Sequence, residues 1–343
     1  MNKNRLSVLI VNWNGREYLP DCLGSLEMQT CRDFEVILVD NGSSDGSIEY
    51  VRTSHPWVKV VLLPENRGFA VGNNAGLEAA SGEFIVTLNN DTETDPGWLE
   101  ELAAVADEHP EVGMVASRIC SFTDRDSIDS LGIGICRDGM SRGAFRLQRF
   151  STLSPGRSEE ILFPSACVAL YRRTMLDEIG FFDEDFFAYC EDTDLGLRGR
   201  LAGWGALLAR DAVVWHKYSS TGGTFSPLKL YLVERNHYWA ALKTFPLRLL
   251  LPVPFFTLVR FLVQARLVLA GTGSGGEFRN SGSRSRLVRA VLRALCDALI
   301  GIPRVLKKRR EVMLTRRLTD REFARLLARY RLTFRELLDD GAD

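Results

Sequence analysis

Val8-Leu9-Ile10-Val11 is an unbroken apolar run, the pattern of a strand buried on both faces. Helical spacing follows over Tyr18–Met28, and Phe34-Glu35-Val36-Ile37-Leu38-Val39 reads as a second strand that stops at Asp40-Asn41-Gly42-Ser43-Ser44-Asp45-Gly46. The alternation continues with a short helix over Ile48–Thr53, a strand over Val58–Leu62, a helix over Gly72–Ala80 and a strand over Phe84–Leu88. That strand runs into Asn89-Asn90-Asp91. A further helix carries the apolar stripe Trp98, Leu99, Leu102 and Val105, with Thr94 or Asp95 as its expected N-cap and Pro96 at its first position. Repeated βα units of this kind predict an α/β fold: a Rossmann-like, mostly parallel sheet flanked by helices.

The periodicity weakens from Ser117 to Ser158, where short strands and a long functional loop are expected. Phe163–Tyr171 is strand-like again. Arg173–Ile179 reads as a helix stopped by Gly180, and Glu191 to Ala202 as another helix. Beyond Phe225 the pattern turns helical and basic. Leu249–Ala270 is strongly apolar but interrupted by Pro252, Pro254, Arg260 and Arg266, so an interfacial or re-entrant helix is expected rather than a simple span. A Gly/Ser-rich linker, Gly271–Ser285, precedes Leu287–Leu318, where apolar residues alternate with Arg and Lys. Thr319-Asp320-Arg321-Glu322 is a capping box that opens a last helix. The division expected is a catalytic α/β domain over 1–224 and a helical, basic, membrane- or oligomer-associated region over 225–343.

Charge changes this picture. The chain of 343 residues has a formal net charge of −1. Residues 1–224 carry 20 Lys+Arg against 34 Asp+Glu, and residues 225–343 carry 23 against 10. An acidic body therefore joins a basic tail, and such a tail is expected to meet something anionic. Nucleic acid is not expected, because the basic clusters carry few aromatics for base stacking. The 7 cysteines are odd in number and lack CxxC spacing, which fits reduced thiols in the cytoplasm better than a disulfide framework or zinc site.

Candidate chemistry lies at the strand ends. In open α/β sheets ligands bind beyond the carboxyl ends of the strands. Asn12-Trp13-Asn14-Gly15, Asp40–Asp45 and Asn89-Asn90-Asp91 all fall there. A cleft holding Asn12, Asp40, Asp45 and Asp91 suits a base, a ribose and a hard cation that bridges phosphates. Neither GxGxxG nor GxxxxGK[ST] occurs, so a dinucleotide site and a P-loop are unsupported.

Those clusters, with Asn66-Arg67-Gly68-Phe69-Ala70 and Asn73/Asn74, resemble the family-2 glycosyltransferases of GT-A fold. The run Gly180–Leu195, with Arg198, Gly203, Trp215-His216 and Arg235-Asn236, resembles its rhamnosyltransferase-like branch. The resemblance covers roughly residues 6–240. It implies a nucleotide site of Asn12, Asn14, Asp40, Asp45, Arg67, Asn89 and Asn90, with Asp40 on the base. Asn89-Asn90-Asp91 stands at the family's DxD motif, with Asn in the first place, so Asp91 is the implied ligand of a divalent metal, Mg or Mn. His216 is a second metal or diphosphate contact, Asp192 the catalytic base, and Glu191 and Trp215 border the acceptor.

Asp192 is expected at a helix start, where the positive helix end keeps it ionised but a weaker base. Each piece also has an ordinary explanation. Glu191 and Asp192 suit a helix N-terminus, Asp194 and Arg198 an i,i+4 pair, and Asp40-Asn41-Gly42 a turn. The resemblance favours an inverting transfer, most plausibly of L-rhamnose from dTDP-L-rhamnose, to a cell-envelope glycan or polyprenyl-linked saccharide. The enzyme is expected as a peripheral protein on the cytoplasmic face of the membrane, with an anionic lipid surface or a second copy meeting the tail. A sugar-phosphate nucleotidyltransferase and a catalytically silent binding module are the alternatives.

Overall fold

The structure is a computed structural model that describes residues 4–153, 156–217, 226–270 and 284–338. The first half alternates as the apolar pattern requires: β1 Leu6–Asn12, α1 Leu19–Glu27, β2 Phe34–Asp40, α2 Ser47–Ser54, β3 Lys59–Leu62, α3 Gly68–Ala79 and β4 Phe84–Leu88. Next come β5 Thr92–Thr94, α4 Trp98–Glu108, β6 Val112–Ser121, β7 Ile128–Ser130, β8 Ile133–Ile135, β9 Ser141–Gly143 and β10 Ser158–Glu160. The second half holds β11 Val168–Arg172, α5 Arg173–Ile179, α6 Glu191–Leu201 and β12 Gly205–His216. The C-terminal helices are α7 Pro227–Thr244, α8 Leu247–Leu250, α9 Val253–Ala270, α10 Arg284–Ile300, α11 Ile302–Thr315, α12 Asp320–Arg329 and α13 Phe334–Leu338.

The main sheet runs β3-β2-β1-β4-β11-β6-β12-β10. β1 to β4 are parallel; β11 lies antiparallel between β4 and β6, and β12 is parallel to β6. The sheet is parallel where the βα repeats were legible and mixed beyond. Alternate residues of each strand feed two cores. Leu6, Val8 and Ile10 of β1 pack with Leu19, Leu23 and Leu26 of α1 and with Trp98 and Leu102 of α4. On the other face Leu9, Ile37 and Val39 join Ala70 of α3 and Leu195 and Leu197 of α6. Ala241, Phe245, Val253, Val312, Phe323 and Leu327 of the C-terminal helices belong to this second core, so the basic region closes one face of the sheet.

Three expectations need correction. Thr94 and Asp95 do not cap α4, whose N-cap is Gly97 without a side-chain bond. Asp95 instead accepts from Gly97 N at 3.0 Å, Pro96 sits in that turn, and Thr92–Thr94 is a short strand antiparallel to β12. A distant strand partner overrides the local helix-start signal. The Ser117–Ser158 segment is more ordered than its pattern suggests: β6 extends to Ser121, and β8 and β9 form a hairpin. The capping box at Thr319 and Glu322 forms as expected, but its helix is followed by α13. The Gly/Ser linker and the 224/225 boundary fall on or beside residues 271–283 and 218–225, outside the described residues.

Candidate active site

The parallel strands deliver the clusters to one edge because β1 and β2 end in register, Asn12 opposite Asp40. Asp40 lines a cleft of about 460 Å³ with Gly42, Ser43, Ser47, Arg52 and Leu63. Its Oδ2 accepts from Ser43 N at 3.0 Å, and its Oδ1 from Asn12 Nδ2 at 3.4 Å. The cleft is polar and walled by loops after β2 and β3, which suits a base and ribose.

Asn12, Asn14, Asp45, Arg67 and Asn90, expected on the nucleotide, do not line this cleft but make up the framework beside it. Asn12 is fully buried, and its Oδ1 accepts from Asn90 Nδ2 at 2.8 Å. The two side chains tie the β4 end to the β1 end behind the site. Asn14 has φ 49° and accepts from Ser44 N at 2.8 Å while its own N–H donates to Ser43 Oγ. Asp45 accepts from Ser47 N and Oγ and from Arg16 N, which holds its carboxyl below the usual range against the effect of burial. Arg67 lies exposed at the N-cap of α3, its N–H donating to Asn41 Oδ1 at 2.9 Å. Asn41 Nδ2 also donates to Asn66 Oδ1 and Gly68 O, so the Asp40–Asp45 and Asn66–Ala70 segments are one knitted unit.

Asp91 follows β4, and β12 brings His216 opposite Thr92. His216 Nε2 lies 3.3 Å from Asp91 Oδ1, and its Nδ1 lies 2.8 Å from Asp129 Oδ2. Asp129 is in turn paired with Arg146 at 2.5 Å. Burial alone would lower the His216 pKa; Cys167, Asp129 and Asp91 outweigh it and raise it well above the ordinary value. Asp129 was not recognisable as a site residue, since it sits in a three-residue strand of a weakly patterned segment.

The donor set fits a divalent cation in part. Adjacent donors of an octahedral ion with ~2.1 Å bonds stand ~3 Å apart, close to the Asp91–His216 separation of 3.3 Å. Asp129 behind His216 is the usual carboxylate that orients a ligating imidazole. Among the described residues no group of three or more His, Cys, Asp or Glu could hold a metal alone. A cation here would therefore complete its shell from diphosphate oxygens and water, as suits Mg or Mn.

Asp192 stands in the first turn of α6. Its Oδ1 accepts from Thr193 N at 2.7 Å and its Oδ2 from Ala166 N at 3.4 Å. Cys167, the next residue, accepts from Asn89 N at 2.8 Å. The backbone that holds Asp192 is thus adjacent to the backbone that holds the Asn89–Asp91 cluster. The expectation of a weakened base is reversed. Burial raises the Asp192 pKa above the ordinary carboxylate value, and the bonds from Thr193 and Ala166 only offset it. Desolvation beside Glu191 outweighs the helix end, so the carboxylate is a stronger base than a free one. Glu191 is buried, its pKa pushed up to about 8 by burial and by Asp192. Trp215 does not join them: it alternates with His216 along β12 and lies under Arg125, 4.0 Å from the ring centroid. Asp194 has the role its spacing suggested, accepting from Arg198 Nε at 2.8 Å.

The Glycosyl transferase family 2 model matches residues 7–180. The N-acetylglucosaminyl-diphospho-decaprenol L-rhamnosyltransferase of Mycobacterium tuberculosis is 29% identical over 246 residues, 63% of this chain and 78% of that protein. The uncharacterized glycosyltransferase YwdF of Bacillus subtilis is 30% identical over 203 residues, 57% of this chain and 67% of that protein. Among solved structures, S. aureus TarS in complex with UDP superposes with a TM-score of 0.52 at 19% identity, covering 90% of this chain and 91% of that one. Mannosyltransferase PcManGT from Pyrobaculum calidifontis, in complex with GDP-Man and Mn2+, gives 0.51 at 18%, covering 87% and 86%. Both likenesses are of fold.

Proposed function

The chain belongs to glycosyl transferase family 2, and from that premise we propose that it moves L-rhamnose, with inversion, from dTDP-L-rhamnose to a hydroxyl of a polyprenyl-diphosphate-linked saccharide. It is a glycosyltransferase of GT-A-like fold. The observation that carries the finer reading is the arrangement along one sheet edge: a base-sized cleft at Asp40, the Asp91–His216 pair, and Asp192 beside it. The rhamnosyl donor and lipid-linked acceptor are suggested by the mycobacterial relative.

Asp40 receives the base, and Asp91 and His216 would hold a Mg or Mn ion, which supplies positive charge to the departing diphosphate. Asp192 takes the proton of the acceptor hydroxyl as its oxygen attacks the anomeric carbon. The bond from that carbon to the diphosphate oxygen breaks, and the nucleoside diphosphate leaves with the electron pair. Asn12 and Asn90 keep the two strand ends at fixed spacing while this happens.

The test measures nucleoside-diphosphate release from dTDP-L-rhamnose, UDP-sugars and GDP-sugars with an N-acetylglucosaminyl-diphospho-polyprenol acceptor. Release confined to a different sugar nucleotide overturns the donor assignment. Asp192→Asn is expected to keep nucleotide binding and lose ~10²–10⁴-fold in kcat; near-normal turnover refutes the base.

A peripheral position on the cytoplasmic membrane face is part of this reading. Leu247, Leu251, Phe255, Leu258 and Leu262 recur along one side of α8 and α9 and are 56–73% exposed. Leu247–Leu267 is long and apolar enough to cross a membrane, with mean hydropathy 1.5. Arg260 argues against crossing. It is fully buried on the other side of α9, with Nη1 and Nη2 on Glu234 at 2.7 and 2.8 Å and Nε on Asp138 at 2.6 Å. This ties the helix to the body and leaves only its outer stripe to lie in an anionic lipid surface. Leu251→Glu is expected to abolish sedimentation with phosphatidylglycerol vesicles; unchanged sedimentation refutes this surface.

A further inference from the structure

The loop that leads into α6 is held in an uncommon backbone shape. Phe187, Tyr189 and Cys190 have φ of 64°, 67° and 62°, a region that non-glycine residues seldom occupy. Three such residues within four positions persist only if the surroundings impose them. The surroundings that do so belong to the C-terminal helices.

Asn236 of α7 is fully buried beneath the loop. Its Nδ2 donates to Phe186 O at 2.9 Å, Ala188 O at 2.9 Å and Tyr189 O at 2.7 Å. Arg235 Nε donates to Asn236 Oδ1 at 2.9 Å, which fixes the amide with its N–H groups toward those carbonyls. Arg235 Nη2 donates to Asp185 O at 3.0 Å. The acidic side chains of the same loop are held from the same side. Lys243 bridges Asp183 and Asp194 at 2.7 Å each, and Lys308 of α11 reaches Asp183 and, at 2.6 Å, Asp185. From the nucleotide side, Phe187 O accepts from Ala70 N at 3.1 Å. There Gly68 has φ 89°, and a Cβ on it would stand 2.5 Å from Phe187 O.

We infer that Asn236 and Lys308 are positioning residues for the transfer: the basic C-terminal helices hold the 183–190 loop in its left-handed course and so aim Asp192 at the acceptor hydroxyl. The inference rests on Asp192 being the base, as proposed above. Neither residue lines the Asp40 cleft. A loop that relaxes toward ordinary φ values would rotate the start of α6 and move Asp192, whereas the Asp40 cleft, walled by the segments after β2 and β3, would stay in place.

The test compares wild type, Asn236→Ala, Lys308→Met, Lys308→Arg and Asp192→Asn as full-length protein. Turnover is measured with dTDP-L-rhamnose and N-acetylglucosaminyl-diphospho-polyprenol, and amide hydrogen exchange is measured across 183–193. Asn236→Ala is expected to lose about a hundredfold in kcat, with donor KM within about twofold of wild type and faster exchange over 186–190. Lys308→Met is expected to show a smaller loss of the same kind, restored by Lys308→Arg. Wild-type kcat in either folded variant, or unchanged exchange in the loop, overturns the inference. So does a rise in donor KM that matches the fall in kcat, since that marks general loss of structure. If Asn236→Ala does not fold, the Lys308 pair decides, because that side chain is 30% exposed and peripheral. Full turnover in Asp192→Asn would remove the base assignment, while the exchange data still judge the hold on the loop.

Discussion

Arg260→Met tests the tie between α9 and the body. Arg260 is fully buried between Glu234 and Asp138, which are 1% and 0% exposed. Methionine keeps most of the volume and removes the charge, leaving two carboxylates without their cation. Truncating one member of such a buried group costs ~3–5 kcal/mol. At ~2.1 cal/mol/K per residue, unfolding 343 residues carries an entropy of roughly 0.7 kcal/mol/K. The expected drop in Tm is therefore about 4–7 °C. The pH dependence has a definite sign. Burial pushes Glu234 up, but Arg260 more than reverses this and holds it below the ordinary value. In wild type that stability is present above the unfolded pKa and lost as pH falls through the folded one. Without Arg260 only the burial acting on Glu234 remains and its carboxyl rises instead, so the native state keeps a proton that the unfolded chain releases. The penalty should then grow from pH 5 to pH 8. Differential scanning calorimetry at both pH values decides the matter. A Tm within about 1 °C of wild type, or a penalty no smaller at pH 5, refutes the reasoning. Adding Glu234→Gln and Asp138→Asn to the variant should recover most of the loss.

Four further outcomes follow from the same geometry. Asp129→Asn should weaken Mn binding by ~10–100-fold, read by titration calorimetry in the presence of dTDP, because it removes the carboxylate that orients His216; unchanged affinity refutes the pairing. Glu191→Gln should leave stability at pH 4 nearly unchanged and raise it progressively up to pH 9. The buried acid holds its proton to about 8, while the unfolded one releases it near ~4.3, so wild-type stability falls as pH rises through that window. An equal Tm difference at the two pH values refutes this. Gly68→Ala should destabilise by more than ~1–2 kcal/mol, since a left-handed φ and the contact with Phe187 O both oppose a Cβ; Gly24→Ala, in α1 with open space around it, should stabilise by ~0.5–1 kcal/mol.

The parts of the site that were legible are those whose signal is local. β1, β2 and β4 are buried on both faces, so each is a continuous apolar run, and the polar cluster that ends each run marks the sheet edge. What escaped depends on partners far along the chain. Asp129 acquires its role from a residue 87 positions later; Asn236 was singled out by the resemblance, but the carbonyls it holds lie 47 to 50 positions earlier. Pro96 and Asp95 satisfied a helix-start pattern, yet β12 claimed the preceding residues as a strand. For Asp192 the helix end was readable, but its burial was not, and burial set the direction of its pKa.

The uneven charge gains a second meaning from these contacts. A basic tail on an acidic body suggested an external anion, yet much of the complement is internal. Lys243 and Lys308 neutralise Asp183, Asp185 and Asp194; Arg304 pairs with Asp185, Arg317 with Glu178 and Arg329 with Glu160. The acidic partners Asp183 and Asp185 lie in the loop that leads into α6, and Asp194 lies in α6 two residues beyond Asp192. A screened surface pair contributes ~1 kcal/mol or less, but Lys243 is buried at 3% exposure, and removing it would strand two carboxylates under the active site. The tail thus neutralises the acidic motif that leads into α6. The apolar stripe of α8 and α9 is separate from those pairs. The proposed membrane attachment and the proposed support of the 183–190 loop therefore fall on different faces of one C-terminal region. High salt should weaken vesicle binding before it affects turnover, because exposed charges are screened first.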